Sequence, residues 1–255
     1  MPSTSENKGL WTRFKELPVD STPKTIAVAV GLCLFCSMVV SSVAVALKPV
    51  QEYNKVLDKR RNILQVAGLY DESVSVDEAF KSIEPRLVEI STGEFSEAFD
   101  PSEYDQKAAA KDPALSRQLE NDPAGIGRQA NLASVYLIRD DQGAIDKVIL
   151  PLHGYGLWST LYGFVALEED GDEVFGFQFY QHGETPGLGA EVDNPRWRAS
   201  WKGKEIFGDD GNVAISVQKG VPSADNAKYH IDALAGATLT SRGVDNLVKF
   251  WLGDE

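Results

Sequence analysis

The chain has 255 residues, 43% of them hydrophobic, which leaves room for one sizeable globular domain and additional segments. Its formal net charge is −13. Because a protein that binds a nucleic-acid backbone presents a basic face, this balance argues against nucleic acid as a partner.

An apolar segment lies near the N-terminus. Residues 1–24 are polar and predict a short tail, whereas residues 25–47 contain no charged side chain and are bounded by Lys24 and Lys48. This run exceeds the roughly 20 residues that a helix needs to cross a bilayer, so we expect a single transmembrane helix in contact with lipid. A cleaved signal peptide is the alternative, but its apolar core is usually shorter and starts earlier.

The basic residues that flank this segment are nearly balanced. Four precede it and five follow it soon after: Lys8, Arg13, Lys15, Lys24, then Lys48, Lys55, Lys59, Arg60 and Arg61. By the positive-inside rule this excess of one favours a cytoplasmic C-terminal part.

The only two cysteines, Cys33 and Cys36, lie in the apolar segment with C-x-x-C spacing. No histidine accompanies them, so we interpret them as small apolar side chains rather than a metal or redox pair. The rest of the chain has no cysteine and therefore neither a disulfide nor a thiolate-ligated iron–sulfur cluster. A redox role there would need another cofactor.

After the apolar segment, the pattern is first helical. Residues 51–67 have apolar side chains at helical spacings and predict an amphipathic helix. Ser75 and Glu78 form a capping box for a second helix that ends before Pro85, and residues 86–92 alternate like a strand. Residues 100–128 are polar and predict a surface excursion with one short helix.

Strand patterns dominate from residue 130. We predict strands at 133–139, 144–151, 161–167, 174–181, 213–219 and 229–234, with hairpin turns at 140–143 and 168–172. A helix follows Asp193 and extends through Trp197 and Trp201, and an amphipathic helix ends near Trp251. The sequence thus predicts an α+β protein with a mainly antiparallel sheet. Its parts are a tail (1–24), a transmembrane helix (25–47), a helical and irregular membrane-proximal part (48–129) and a C-terminal domain (130–255).

Two glycine-rich passages, residues 153–160 and 182–189, lie between the strands. Neither has the spacing of a dinucleotide fingerprint or a P-loop. Their backbones could approach a flat ligand, with Tyr155, Trp158 and Leu188 covering its faces. The alternative is that they only turn the chain and that the aromatic residues belong to the core.

Residues 232–241 combine a strand-like run, a small-residue turn and three hydroxyls, Thr238, Thr240 and Ser241, before the last helix. Backbone N–H groups at a helix start favour a phosphate. The alternative is that these hydroxyls only cap the helix. The three histidines, His153, His182 and His230, are scattered, so we predict no catalytic triad and no metal site.

Asp232, Gly236, Ala237 and Thr238 resemble the flavinylation signature of FMN-binding domains, although Ala235 stands where that family usually has Ser or Thr. Further matches are both glycine-rich passages, the N-terminal apolar segment and residues 240–244 and 250–253. Through these features, almost the whole chain resembles the C-subunit family of the sodium-translocating NADH:quinone reductase. The resemblance implies FMN joined to Thr238 through a phosphoester.

The resemblance also implies the rest of the cofactor site. Gly236, Ala237, Leu239 and Thr240 would approach the phosphate. Glu184, Thr185, Leu188 and Gly189 would line the flavin ring, with Gly156, Leu157 and Trp158 opposite. Lys219 would be a cation near the N1 edge of the ring, where it would favour an anionic semiquinone, or else a solvated strand end.

The function implied is one electron-relay step within a multi-subunit membrane complex that oxidises NADH, reduces ubiquinone and expels sodium. A separate flavin transferase would attach FMN outside the cytoplasm. The chain would then sit in a bacterial inner membrane with a periplasmic domain, against the charge count. Two alternatives remain: the flavin subunit of an ion-pumping ferredoxin:NAD reductase, and a non-catalytic anchored scaffold.

Overall fold

The structure is a computed structural model that describes residues 12, 14, 16, 18 and 21–253. Most of the predicted tail therefore lies outside the described residues. A single helix, α1 (Thr22–Val66), replaces the two helices predicted at 25–47 and 51–67. It passes through Pro49, which removes one N–H donor while the neighbouring hydrogen bonds keep the helix intact.

Helix α1 is long and apolar enough to cross a membrane. Its side chains between residues 26 and 47 are exposed, as lipid contact requires, and Cys33 and Cys36 are free on its surface. The chain divides into two compact units, Met1–Val56 and Leu57–Glu255. The second unit contains the β-structure and is described by itself below.

Over its described residues, the second unit has nine strands and four further α-helices. In chain order they are α2 (Val76–Ala79), β1 (Ile83–Glu89), α3 (Gln106–Ala109), β2 (Ser116–Gln118), β3 (Arg128–Ala130), β4 (Leu132–Arg139), β5 (Ile145–Tyr155), β6 (Thr160–Leu167), β7 (Val174–Gln181), α4 (Pro195–Ala199), β8 (Ser216–Gln218), β9 (His230–Asp232) and α5 (Thr238–Leu252). The predicted α+β class is confirmed.

Five strands form one antiparallel sheet in the order β1-β4-β5-β6-β7. The hairpins β4–β5 and β6–β7 turn at the two predicted sites. Pro85 lies in β1, an edge strand, where its missing N–H is tolerated. Since β1 pairs along its whole length with β4, the sheet joins the parts of the chain on either side of the boundary predicted at residue 130.

The sheet has an apolar layer on each face. Alternation along β6 directs Phe164 to one face and Val165 to the other. On the first face, Phe164 joins Ile63 and Leu64 from the end of α1. On the second face, Val165 belongs to the cluster that includes Leu247 of α5. Helix α5 is therefore held by its apolar face, and its first turn lies where the site is built.

Several elements differ from the prediction. Strand β5 continues to Tyr155, so the first glycine-rich passage begins in the sheet. Gly154 allows this, because a Cβ there would lie 2.5 Å from Cβ of Leu247 on α5. Strands β8 and β9 are only three residues each and pair in parallel with one another, outside the main sheet.

Two further segments differ. Helix α4 ends at Ala199, and Trp201 lies beyond it in the core, stacked on Phe177 with ring centroids 3.9 Å apart. The predicted excursion at 100–128 contains the expected short helix, α3, and also strand β2, which pairs with β3. Short strands that pair only locally carry too few alternating positions for a pattern to show them.

Candidate functional site

Three segments meet beside the first turn of α5, and the carboxylate of Glu184 holds them together. Its side chain is buried, with the residue only 5% exposed. Oε1 accepts hydrogen bonds from the backbone amides of Leu157 (2.9 Å) and Trp158 (3.0 Å). Oε2 accepts the hydroxyl of Thr240 at 2.6 Å. Both glycine-rich passages are thereby fastened to α5.

Glycines make this close approach possible. A Cβ at Gly156 would lie 2.6 Å from Oε1 of Glu184, and one at Gly189 would lie 2.5 Å from Oε2. A Cβ at Gly243 on α5 would lie 2.4 Å from the carbonyl oxygen of Tyr155. Each distance is shorter than any real Cβ contact, so a side chain at these positions would displace the carboxylate or the helix.

The hydrogen bonds also set the charge of this carboxyl group. Burial acts to raise the pKa of Glu184, but the Thr240 hydroxyl and the amides of Trp158, Leu157 and Ser159 together outweigh burial and hold the pKa below its usual range. Glu184 is therefore an ionised group whose oxygens are occupied by the protein itself.

The three hydroxyls at the start of α5 have different surroundings. Thr240 is fully buried and donates to Glu184. Ser241 is also buried; its Oγ donates to the carbonyl of Ala237 (3.0 Å) and accepts the amide of Leu234 (2.9 Å). Thr238 is exposed. It is thus the one hydroxyl of the three that an external group can reach.

Thr238 does not cap the helix. The N-cap residue is Ala237, without any side-chain capping bond, and Thr238 is the first helical residue. The capping alternative for Thr238 is therefore wrong. First-turn amides of a helix have no intrahelical partner, so this helix start remains available to an anion. Gly236 forms the turn before it with φ +74°, and a Cβ there would lie 3.2 Å from Cδ2 of Leu188.

Lys219 lies next to Thr238. Asp245 on α5 accepts the amide of Val217 (2.8 Å) and the hydroxyl of Ser216 (3.1 Å), which holds β8 against the helix. Lys219 follows β8 directly, and its Nζ donates to Oγ1 of Thr238 at 2.9 Å. The ammonium group thus lies at the predicted attachment oxygen.

Large apolar side chains around these segments are exposed. Trp158 is 66% exposed, Leu239 53% and Leu188 45%. These side chains offer apolar surface that a planar ligand could cover. These apolar side chains of the site are open to solvent. A groove of about 510 Å³ beside Asn62 and Arg198 includes none of the predicted site residues.

The predicted site residues thus fall into two groups. The first group presents exposed side chains or shapes the surface: Thr238, Lys219, Leu188, Leu239, Trp158, Thr185 and the Gly236–Ala237 turn. The second group consists of residues that contact one another: Glu184, Thr240, Gly156, Gly189 and the amides of Leu157 and Trp158. Glu184 joins the segments and Thr240 donates to Glu184. The ring-lining role of Glu184 and the phosphate contact of Thr240 stay predictions.

Two residues that position the site were not predicted, Asp245 and Gly243. A glycine inside a helix costs stability and often indicates a close backbone contact, so Gly243 could have been found. Asp245 gives no such signal. Among the residues described, no group of three or more His, Cys, Asp or Glu side chains is arranged to hold a metal ion. His182 and His230 each pair with a single aspartate, Asp193 and Asp232.

A helix long and apolar enough to cross a membrane, an antiparallel sheet and an uncapped helix start beside an exposed threonine are features expected of a membrane-anchored cofactor-binding protein. Residues 156–253, which contain this site, match the FMN-binding domain family. The C subunit of the Na(+)-translocating NADH-quinone reductase from Pseudomonas aeruginosa is 51% identical over 244 residues, covering 92% of this chain and 93% of that protein. The chain belongs to the C-subunit family of this reductase.

Two further similarities agree. The C subunit of the same reductase from Yersinia pestis is 49% identical over 241 residues and covers 92% of this chain and 90% of that protein. The crystal structure of Shewanella oneidensis NqrC superposes with a TM-score of 0.72 at 37% identity, covering 78% of this chain and 93% of that chain.

Proposed function

We propose that this protein is the electron-relay flavoprotein subunit of a sodium-pumping NADH:quinone reductase, with FMN attached to Thr238 through a phosphoester. One observation carries the attachment: of the three hydroxyls at the start of α5, only that of Thr238 is exposed. The FMN-binding domain match and the named relatives support the cofactor and the complex.

The residues present fit FMN. The exposed apolar surfaces of Trp158, Leu188 and Leu239 suit a planar ring, and the uncapped start of α5 suits a phosphate. When bound, FMN supplies electron transfer in one- or two-electron steps. Thr238 would hold the phosphate, while Glu184 would keep the two glycine-rich segments at the ring.

A covalent bond suits a relay. An electron carrier must stay in place in every redox state, and a phosphoester prevents the dissociation that a noncovalent flavin would undergo. A flavin transferase would form this bond during maturation. The other subunits of the complex would then supply and accept the electrons, ending at ubiquinone, while the complex expels sodium.

The membrane arrangement belongs to the same proposal. Helix α1 would anchor the chain in the lipid of the bacterial inner membrane, and the flavin domain would lie in the periplasm. The family resemblance supports this orientation, whereas the charge count differs from it by only one residue. A reporter fused after Glu255 that is active only in the cytoplasm would contradict the periplasmic placement.

The two alternatives have less support. The relatives are named as subunits of a quinone reductase, which favours that complex over a ferredoxin:NAD reductase. A non-catalytic scaffold would need no exposed hydroxyl at the start of α5.

The experiment is to purify the complex from cells that carry Thr238→Ala in this subunit. We expect the complex to assemble, to lose one flavin, and to lose NADH-driven quinone reduction. Thr92→Ala, an exposed threonine outside the site, is the matched control and should retain both. Full flavin content and activity in the Thr238 variant would refute the proposal.

A further inference from the structure

We propose that Lys219 is the phosphate-binding cation of the attachment site. In this role it neutralises the flavin phosphate at Thr238 while the bond is formed and afterwards. This inference rests on the proposed attachment of FMN to Thr238. It differs from the role that the family resemblance implies for Lys219, which is a contact at the ring.

Lys219 contacts the hydroxyl oxygen that would carry the flavin. Nζ of Lys219 lies 2.9 Å from Oγ1 of Thr238, the oxygen that would become bonded to phosphorus. A phosphodiester at this oxygen has two further oxygens on phosphorus, within the reach of the same ammonium group. An ammonium–phosphate hydrogen bond is roughly twice as strong as a neutral one, so Lys219 would move from hydroxyl to phosphate as soon as one is present.

The charge around Lys219 also favours an anion as its partner. Among the residues that the structure describes, no carboxylate forms an ion pair with it. In a chain of net charge −13, a lysine that has a threonine hydroxyl as its partner is available for an incoming anion. Asp232 pairs with Gln218 across β8 and β9, and its carboxylate lies 3.0 Å from Nε2 of His230.

The backbone near Lys219 is held firmly in place. Asp245 joins β8 to α5, the amide of Ala233 donates to the carbonyl of Gln218 at 3.1 Å, and β8 pairs with β9. Lys219 therefore leaves a fixed strand end toward the first turn of α5. The helix start adds its own partial positive charge, so both groups favour an anion at the same place.

Attachment can be written as a balanced step. A bond forms between Oγ1 of Thr238 and phosphorus, and the pyrophosphate bond of a flavin dinucleotide donor breaks. The adenylate leaves with the electron pair of that bond, and the hydroxyl proton passes to a base of the transferase. Lys219 is not this base, because an ammonium group offers donors and no lone pair. Its contribution is to stabilise negative charge on the phosphoryl oxygens.

The test measures the rate at which the full-length chain gains the mass of FMN when incubated with the transferase and a flavin dinucleotide. We expect Lys219→Met to be modified about tenfold to a hundredfold more slowly than wild type. This ratio corresponds to the free energy of a hydrogen bond to a charged group. Lys219→Arg, which keeps the charge, should recover most of the rate. Lys111→Met removes an exposed lysine elsewhere and should match wild type.

A second readout covers the finished product. The ³¹P resonance of the attached phosphodiester should shift in Lys219→Met and remain unchanged in Lys111→Met. Wild-type rates and an unshifted resonance in Lys219→Met would overturn the inference while leaving attachment at Thr238 intact. If wild type gains no flavin, or if Thr238→Ala gains it, the proposed function fails instead.

Discussion

Replacing Thr240 by valine tests the link between Glu184 and α5. Valine has nearly the shape of threonine but lacks the hydroxyl, so Oε2 of Glu184 loses its 2.6 Å donor inside the protein. Because Thr240 is fully buried, water does not replace that donor. A hydrogen bond to a charged group contributes about 1.5–3 kcal/mol, so we expect the free energy of unfolding to fall by about 2 kcal/mol.

The assay is denaturant unfolding of the full-length chain in detergent, followed by tryptophan fluorescence, with Thr92→Val as the exposed control. The pH dependence gives a second check. The folded-state pKa of Glu184 lies below its ordinary value of 4.5, so its stabilisation is present above that pH and is lost as the pH falls through the folded pKa. The deficit of Thr240→Val should therefore be constant at neutral pH and shrink in acid. A deficit that is absent, or unchanged at low pH, would refute the role assigned to Glu184.

Three other predictions follow from single residues. Gly236 has φ +74°, where alanine is strained, so Gly236→Ala should lower the free energy of unfolding by about 1–3 kcal/mol, measured by denaturation. It should also slow FMN attachment, measured by intact mass. Gly143→Ala has a similar φ of +84° in a hairpin turn and should match the stability loss without affecting attachment. Burial, with a smaller contribution from Lys107, lowers the pKa of His153 to about 4. Stability should therefore fall between pH 6.5 and 4 by on the order of 3 kcal/mol, and His153→Phe should remove this dependence in pH-dependent unfolding.

The sheet could be predicted from the sequence because its strands are long and alternate. Residues 174–181 form β7 with the predicted bounds, and the turns at 140–143 and 168–172 are where glycine and aspartate indicate them. The bounds predicted for the short strands β8 and β9 were too wide. A three-residue parallel pair is held by tertiary contacts such as that of Asp245, and these leave no periodic pattern.

The sequence indicated which segments lie together, but not the contacts between them. The motif around Thr238 and the glycine-rich passages indicate which residues gather. No pattern shows that Glu184 and Thr240, 56 residues apart, satisfy one another while Thr238 stays exposed. Only the fold decides which of three neighbouring hydroxyls is exposed. The same holds for Lys219, whose reach to Thr238 depends on β8 lying against α5.

The most direct measurement of the central claim is the intact mass of the full-length chain, produced with its flavin transferase, as wild type and as Thr238→Ala. We expect wild type to carry the added mass of one FMN less one water after denaturation, and Thr238→Ala to carry none. Thr240→Val, whose hydroxyl is buried, should still carry the added mass. An unmodified wild type, or a Thr238→Ala variant that keeps the flavin, would contradict the account.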